Sequence, residues 1–147
     1  MQPPRVVVEV SSTVRRMPLS TDRVRSLVET TLASESISDA MVSIAFVGRT
    51  AITRMNRKYL RHQGPTDVIS FGMGREMPSM PAIGDIYICP EIAERNSRRH
   101  GVTLSDELAR LVVHGTLHIA GRDHPDDESR VTSEMWKRQE LILAHDD

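Results

Sequence analysis

The stretch from Leu104 to His124 constrains the chain most, because it asks for a helix, an abrupt end and several imidazoles in one place. Leu104, Leu108, Leu111, Val112, Gly115 and Ile119 recur at helical spacing and form one apolar stripe, so this helix packs inward. Thr103 can cap its start, with Asp106 three residues on, and Gly121 can end it. His114 and His118 are four residues apart and therefore lie one turn apart on one face, on the flank of the stripe beside Glu107. A chain that turns back after Gly121 can bring His124 up to them.

A divalent metal needs ligands about 2 Å away, and two imidazoles at this spacing can supply two of them. Three histidines leave one coordination position for water, the arrangement of a catalytic rather than a structural site. His114, His118 and His124 are therefore the expected ligands of one metal ion, and Zn2+ is the best match, although imidazole also suits nickel and copper. Such an ion generates hydroxide near neutral pH and polarises a phosphoryl or carbonyl oxygen. The bland alternative is three unrelated histidines at a surface or core edge. The spacing equals that of the metzincin zinc peptidases, but the glutamate that serves as general base there is Gly115 here, which cannot move a proton. Peptidase chemistry of that kind is disfavoured.

The rest of the chain suits a single cytoplasmic domain spanning residues 1–147. The 39% hydrophobic and 27% charged residues are ordinary for a globular chain, and a net charge of -1 selects no partner. Aromatic residues make up only 3%, so aliphatics and the eight Met must fill the core. The one cysteine, Cys89, permits neither an internal disulfide nor a cysteine zinc cluster, and reads as a small buried residue. No signal peptide and no membrane span are expected.

Strands are predicted over Arg5–Val10, Met41–Val47, Asp67–Phe71 and Ile83–Cys89. Helices are predicted from Ser20–Asp22 to Ser34, and over Thr50–Leu60, Glu91–Arg99, Leu104–Ala120 and Asp127–Ala144. Gly72–Pro81, with two Gly, two Pro and three Met, reads as a mobile loop. Strands mixed with helices indicate an α/β or α+β domain.

Three segments together carry a family resemblance. H-G-T-L-H-I-A-G-R-D-H (His114–His124) is similar to the signature of the YbeY family of bacterial rRNA-maturation endoribonucleases. Met55–Phe71, with P-T-D-V-I-S-F, resembles that family's segment ending in P-T-D-V-L-S-F, and I-G-D-I-Y-I-C (Ile83–Cys89) its L-G-D-I strand. The matching order spans roughly Met41–Leu143. The resemblance implies an α+β fold, with a small mixed sheet of about four strands, about five helices and zinc in a cleft. It implies a metal-dependent endoribonuclease that cuts single-stranded RNA in maturation of the small-subunit rRNA 3′ end and in ribosome quality control. The implied partners are rRNA and the ribosome or its small subunit, and the implied ligands are again His114, His118 and His124.

The chain departs from that family at one place. The arginine that usually follows the aromatic residue, and is thought to serve cleavage, is Leu60 here, and the later acidic position is Gln63. Arg61, one place on, or Arg57, one turn back, is left to take the role, and Arg61 is favoured. The residues expected to carry catalysis are thus Arg61, His114 and Asp123, the last by orienting an imidazole. Arg54, Arg57, Lys58, Arg61 and His62 form one basic cluster, and Arg95, Arg98, Arg99 and His100 a second. Each can bind phosphates or be a solvated helix face. Tyr59 and Phe71 are the only aromatics near the motifs, so backbone contacts should outweigh base readout. A hydrolase of peptides or small amides and a non-catalytic ribosome-associated zinc protein are the competing functions.

Overall fold

A computed structural model describes residues 5–75, 77–122 and 133–145. The elements run β1 (Val6–Ser12), α1 (Thr21–Ser34), β2 (Ala40–Phe46), α2 (Arg49–Leu60), β3 (Val68–Gly72), β4 (Ala82–Ile88), α3 (Pro90–His100), α4 (Leu104–Ile119) and α5 (Glu134–Ala144). Among the described residues this is the expected α+β fold, with a four-strand mixed sheet and five helices. Most element ends fall within a residue or two of the expectation. The last helix begins at Glu134 instead of Asp127, because Ser133 caps it by accepting a bond from the Trp136 amide; 127–132 lie outside the described residues.

The sheet order is β1-β2-β4-β3, with β1, β2 and β4 parallel and β3 antiparallel to β4. Parallel neighbours cannot be joined by a tight turn, so α1 makes the first crossover and α2 with β3 the second. Alternation along the strands sends Val8, Val42, Ile44, Ile86 and Ile88 to one face. There they form the main core with residues such as Leu27 of α1, Leu117 of α4 and Met135 of α5. Ile69 and the half-buried Ala45, Phe71 and Tyr87 face the other way, where Ile52 of α2, Ile92 of α3 and Cys89 complete a smaller apolar cluster. Cys89 is fully buried, as expected.

Helix ends follow the side chains the sequence offers. Ser20 and Thr103 accept bonds from the Arg23 and Asp106 amides at the starts of α1 and α4. Gly101 and Gly121 take positive φ, 69° and 104°, where α3 and α4 end. Two other glycines set how closely α4 approaches the sheet. A Cβ on Gly115 would lie 2.9 Å from Ile86 Cγ2, and one on Gly84 would lie 2.5 Å from the Phe71 carbonyl oxygen and 2.8 Å from Ile119 Cγ1. Bare backbone at both places lets α4 sit directly against β4.

Candidate metal centre

α4 is buried on nearly every side, and its interior exposes little beyond one flank. On that flank His114 and His118 are half-buried, whereas Val113, Gly115, Thr116, Leu117 and Ile119 around them are buried. The two imidazoles meet edge to face, with ring centroids 4.8 Å apart and planes at 81°. That spacing can be set against a metal's requirements. A ligand nitrogen about 2.0–2.1 Å from zinc puts its ring centre roughly 3 Å from the ion, so two rings at a near-tetrahedral angle lie about 5 Å apart. The spacing of the two rings is compatible with both reaching one ion. Among the described residues no group of three His, Cys, Asp or Glu converges on one point. The expected third ligand, His124, and the expected orienting residue, Asp123, lie outside them.

The sequence reading missed what holds this pair. The Nδ1 of His114 is 2.8 Å from Oε1 of Gln139, an almost wholly buried residue of α5. The signal was present: Met135, Gln139 and Ile142 recur at spacings of four and three, which puts one polar residue on a buried helix face. Arg75 was also missed. Its guanidinium donates to the carbonyls of Pro78 and Met80 at 2.7 and 2.9 Å and to that of Ala120 at 3.4 Å, lacing the loop between β3 and β4 to the end of α4.

The exit from α4 is anchored to the other helices. Glu35, just past α1, accepts from Arg122 and from Arg138 Nε, the latter at 2.8 Å, and its side chain is only 7% exposed. Burial raises the Glu35 pKa, but hydrogen bonds and charge from Arg122 and Arg138 outweigh it and hold the carboxyl below its ordinary value of 4.5. A lowered folded-state pKa stabilises the fold fully above that ordinary value and ceases to do so as pH falls through the folded value. Glu35→Gln is therefore expected to melt about 5 °C lower than the wild type at neutral pH, an effect of roughly 1–2 kcal/mol given guanidiniums half open to water. The gap should close in acid, below the ordinary carboxylate pKa. Melting curves of both proteins across that range check it, and a constant gap would contradict the assignment.

Other candidate residues have structural roles. Gly115, where a peptidase would carry its general base, faces Ile86 of β4, so any side chain there would enter the sheet interface. Glu107 is buried and turns to α3, with Oε2 3.5 Å from His100 Nδ1. Asp67 accepts from the Asn96 side-chain amide at 3.2 Å and so joins the start of β3 to α3. The two basic clusters do lie on neighbouring helices, since Ile52 and Ile92 share one apolar cluster, and their Arg, Lys and His side chains are exposed. Arg61 is the exposed residue after α2 and adopts a left-handed conformation, φ 56°. Tyr59, 56% exposed, meets Phe71 edge to face at 5.4 Å, and Phe71 meets Tyr87 of the Ile83–Cys89 segment at 6.0 Å, so a third aromatic joins the two expected near the motifs.

Comparison with known proteins gives concordant results. The family model described as endoribonuclease YbeY matches residues 9–146. A protein of that name from Geobacter metallireducens is 34% identical over 142 residues, covering 93% of each chain. One from Aquifex aeolicus is 32% identical over 120 residues, 82% of this chain and 77% of its own. A Thermotoga maritima protein whose structure was solved in solution superposes with a TM-score of 0.65 at 26% identity, over 95% of this chain and 89% of the other.

Proposed function

The chain belongs to the YbeY family of endoribonucleases, and from that premise we propose that it is a zinc-dependent endoribonuclease that cuts single-stranded RNA. The proposed setting is maturation of the small-subunit rRNA 3′ end and ribosome quality control, in the cytoplasm and in contact with the ribosome or its small subunit. No described helix is long and apolar enough to cross a membrane. The observation that carries the reading is the imidazole pair of His114 and His118, one turn apart at a spacing that suits a shared ion, inside the segment that matches the family.

In this reading His114, His118 and His124 hold one Zn2+ ion, which supplies Lewis acidity toward a phosphoryl oxygen and acidifies water. The chain's own groups do the remainder. Arg61, or Arg57 one turn earlier, stabilises the charge that develops on the scissile phosphate. The exposed cations of α2 and α3 neutralise flanking phosphates and make binding weaken with salt. Asp123 orients an imidazole. The exposed Tyr59 ring offers a stacking surface for one unpaired base.

The test is cleavage of matched single-stranded and duplex RNAs by the purified full-length protein, with zinc quantified in the same samples. Cleavage of the single strand that stops on chelation and returns with added zinc is expected. A 2′,3′-cyclic phosphate end would mean attack by the ribose hydroxyl, and a 5′-phosphate end attack by water. Protein that carries metal yet cuts no RNA would favour the non-catalytic alternative.

A further inference from the structure

Four residues on two helices form a continuous polar line that ends on His114. Arg110 lies one turn before His114 on α4, and its guanidinium grips Glu140 of α5 with two bonds, Nε to Oε2 at 3.1 Å and Nη2 to Oε1 at 2.9 Å. Glu140 Oε2 also accepts from the side-chain amide of its neighbour Gln139 at 3.1 Å. Gln139, 1% exposed, directs its other end, Oε1, at His114 Nδ1.

This geometry has a direction. An ionised carboxylate only accepts hydrogen bonds, so it must face the NH2 end of the Gln139 amide. Turning the amide round would set its oxygen against the carboxylate oxygen and its NH2 against the imidazole, leaving Glu140 short of a donor in a partly buried place. Glu140 stays ionised: burial raises its pKa, but bonds from Arg110 and Gln139 more than offset this and lower it. With Oε1 fixed toward His114, the imidazole nitrogen facing it must be the protonated one. The neutral ring then carries its lone pair on Nε2.

We infer that Gln139, aimed by the Arg110–Glu140 pair, is a positioning residue that locks His114 in the Nδ1–H form and so presents Nε2 as a metal-binding nitrogen. Nothing in the spacing of the histidines requires this, because an isolated imidazole takes either tautomer. The inference rests on the proposed metal site but not on RNA cleavage. The relay does three things. It spares the site the cost of selecting one tautomer when a cation arrives, and it makes the bound ring a better donor by polarising Nδ1–H. It also couples α5 to α4 at the site, so Glu140, which does not touch His114, affects the metal through Gln139.

The test uses the full-length protein in two measurements. The first is 15N NMR of the metal-free protein at a pH above the imidazole pKa. The second is Zn2+ affinity by competition with a chromogenic chelator. In the wild type, His114 should show a protonated Nδ1 and an unprotonated Nε2. Gln139→Met, which keeps the volume but removes the acceptor, should mix the two tautomers and weaken zinc binding 10- to 100-fold. Gln139→Glu combined with Glu140→Gln exchanges the two groups, so that an acceptor still faces Nδ1 and an amide still donates between the two side chains; this double variant should recover the Nδ1–H form and most of the affinity. Glu140→Ala, which frees the amide to turn, should fall between. Melting curves confirm that each variant is folded. A wild-type His114 protonated on Nε2 would overturn the inference, as would Gln139→Met with unchanged tautomer and affinity. A wild type that shows the expected tautomer and binds zinc but leaves RNA intact would refute the proposed activity while leaving the positioning role standing.

Discussion

His118→Ala should bind no stoichiometric zinc and should lose RNA cleavage by on the order of a thousandfold or more, while its metal-free form melts within a few degrees of the metal-free wild type. Loss of groups that merely orient a ligand already costs about 10- to 100-fold in affinity or activity, so loss of a ligand itself must cost more. Little is asked of the fold, because His118 lies half-buried on the flank of α4 instead of in the main core. His114→Ala should behave alike toward metal but fold less well, since it strands Gln139 Oε1 in a buried place, a loss of about 1–3 kcal/mol. Metal analysis of the purified proteins beside the wild type, with the RNA assay on the same samples, checks both. Equal zinc content in wild type and variants would remove the basis of the metal assignment.

Gly84→Ala should lower stability by about 3 kcal/mol, or roughly 10 °C in melting temperature for a domain of this size. The added methyl would approach the Phe71 carbonyl oxygen to 2.5 Å and Ile119 to 2.8 Å. The carbonyl belongs to β3, which is laddered to β4 in this register, with Phe71 opposite Asp85 and Gly72 opposite Gly84. Ile119 sits on α4 within the main core. The carbonyl is backbone and cannot turn aside, and the Ile119 side chain is buried with little room to rotate away, so β3 must shift from β4 or α4 must lift from the sheet. Because α4 also carries the imidazole pair, zinc affinity should fall with stability. A melting temperature within a degree or two of the wild type would show that the close approach is not real.

Most of the fold was legible in the order of residues. Period-two apolar runs make the strands, the stripe from Leu104 to Ile119 makes α4, and Ser20, Thr103, Gly101 and Gly121 mark helix ends through short-range chemistry that a sequence displays. The pairing of His114 with His118 was legible for the same reason, because four residues is one helical turn. The start of α5 at Glu134 is set by the Ser133 cap, and residues 127–132, on which the expected start at Asp127 falls, lie outside the described residues.

What tertiary structure alone decided lies between elements distant in the chain. Gly115 looked like a missing base and is a clearance for Ile86, and Gly84 is a clearance for Ile119. Glu35 meets Arg122 and Arg138 across 87 and 103 residues. Gln139 reaches His114 across 25. Local spacing dictates which side chains share a face, because backbone geometry repeats along a helix or strand. Which face meets which other one depends on how whole elements pack, and that is where a histidine acquires its tautomer and a glycine its reason.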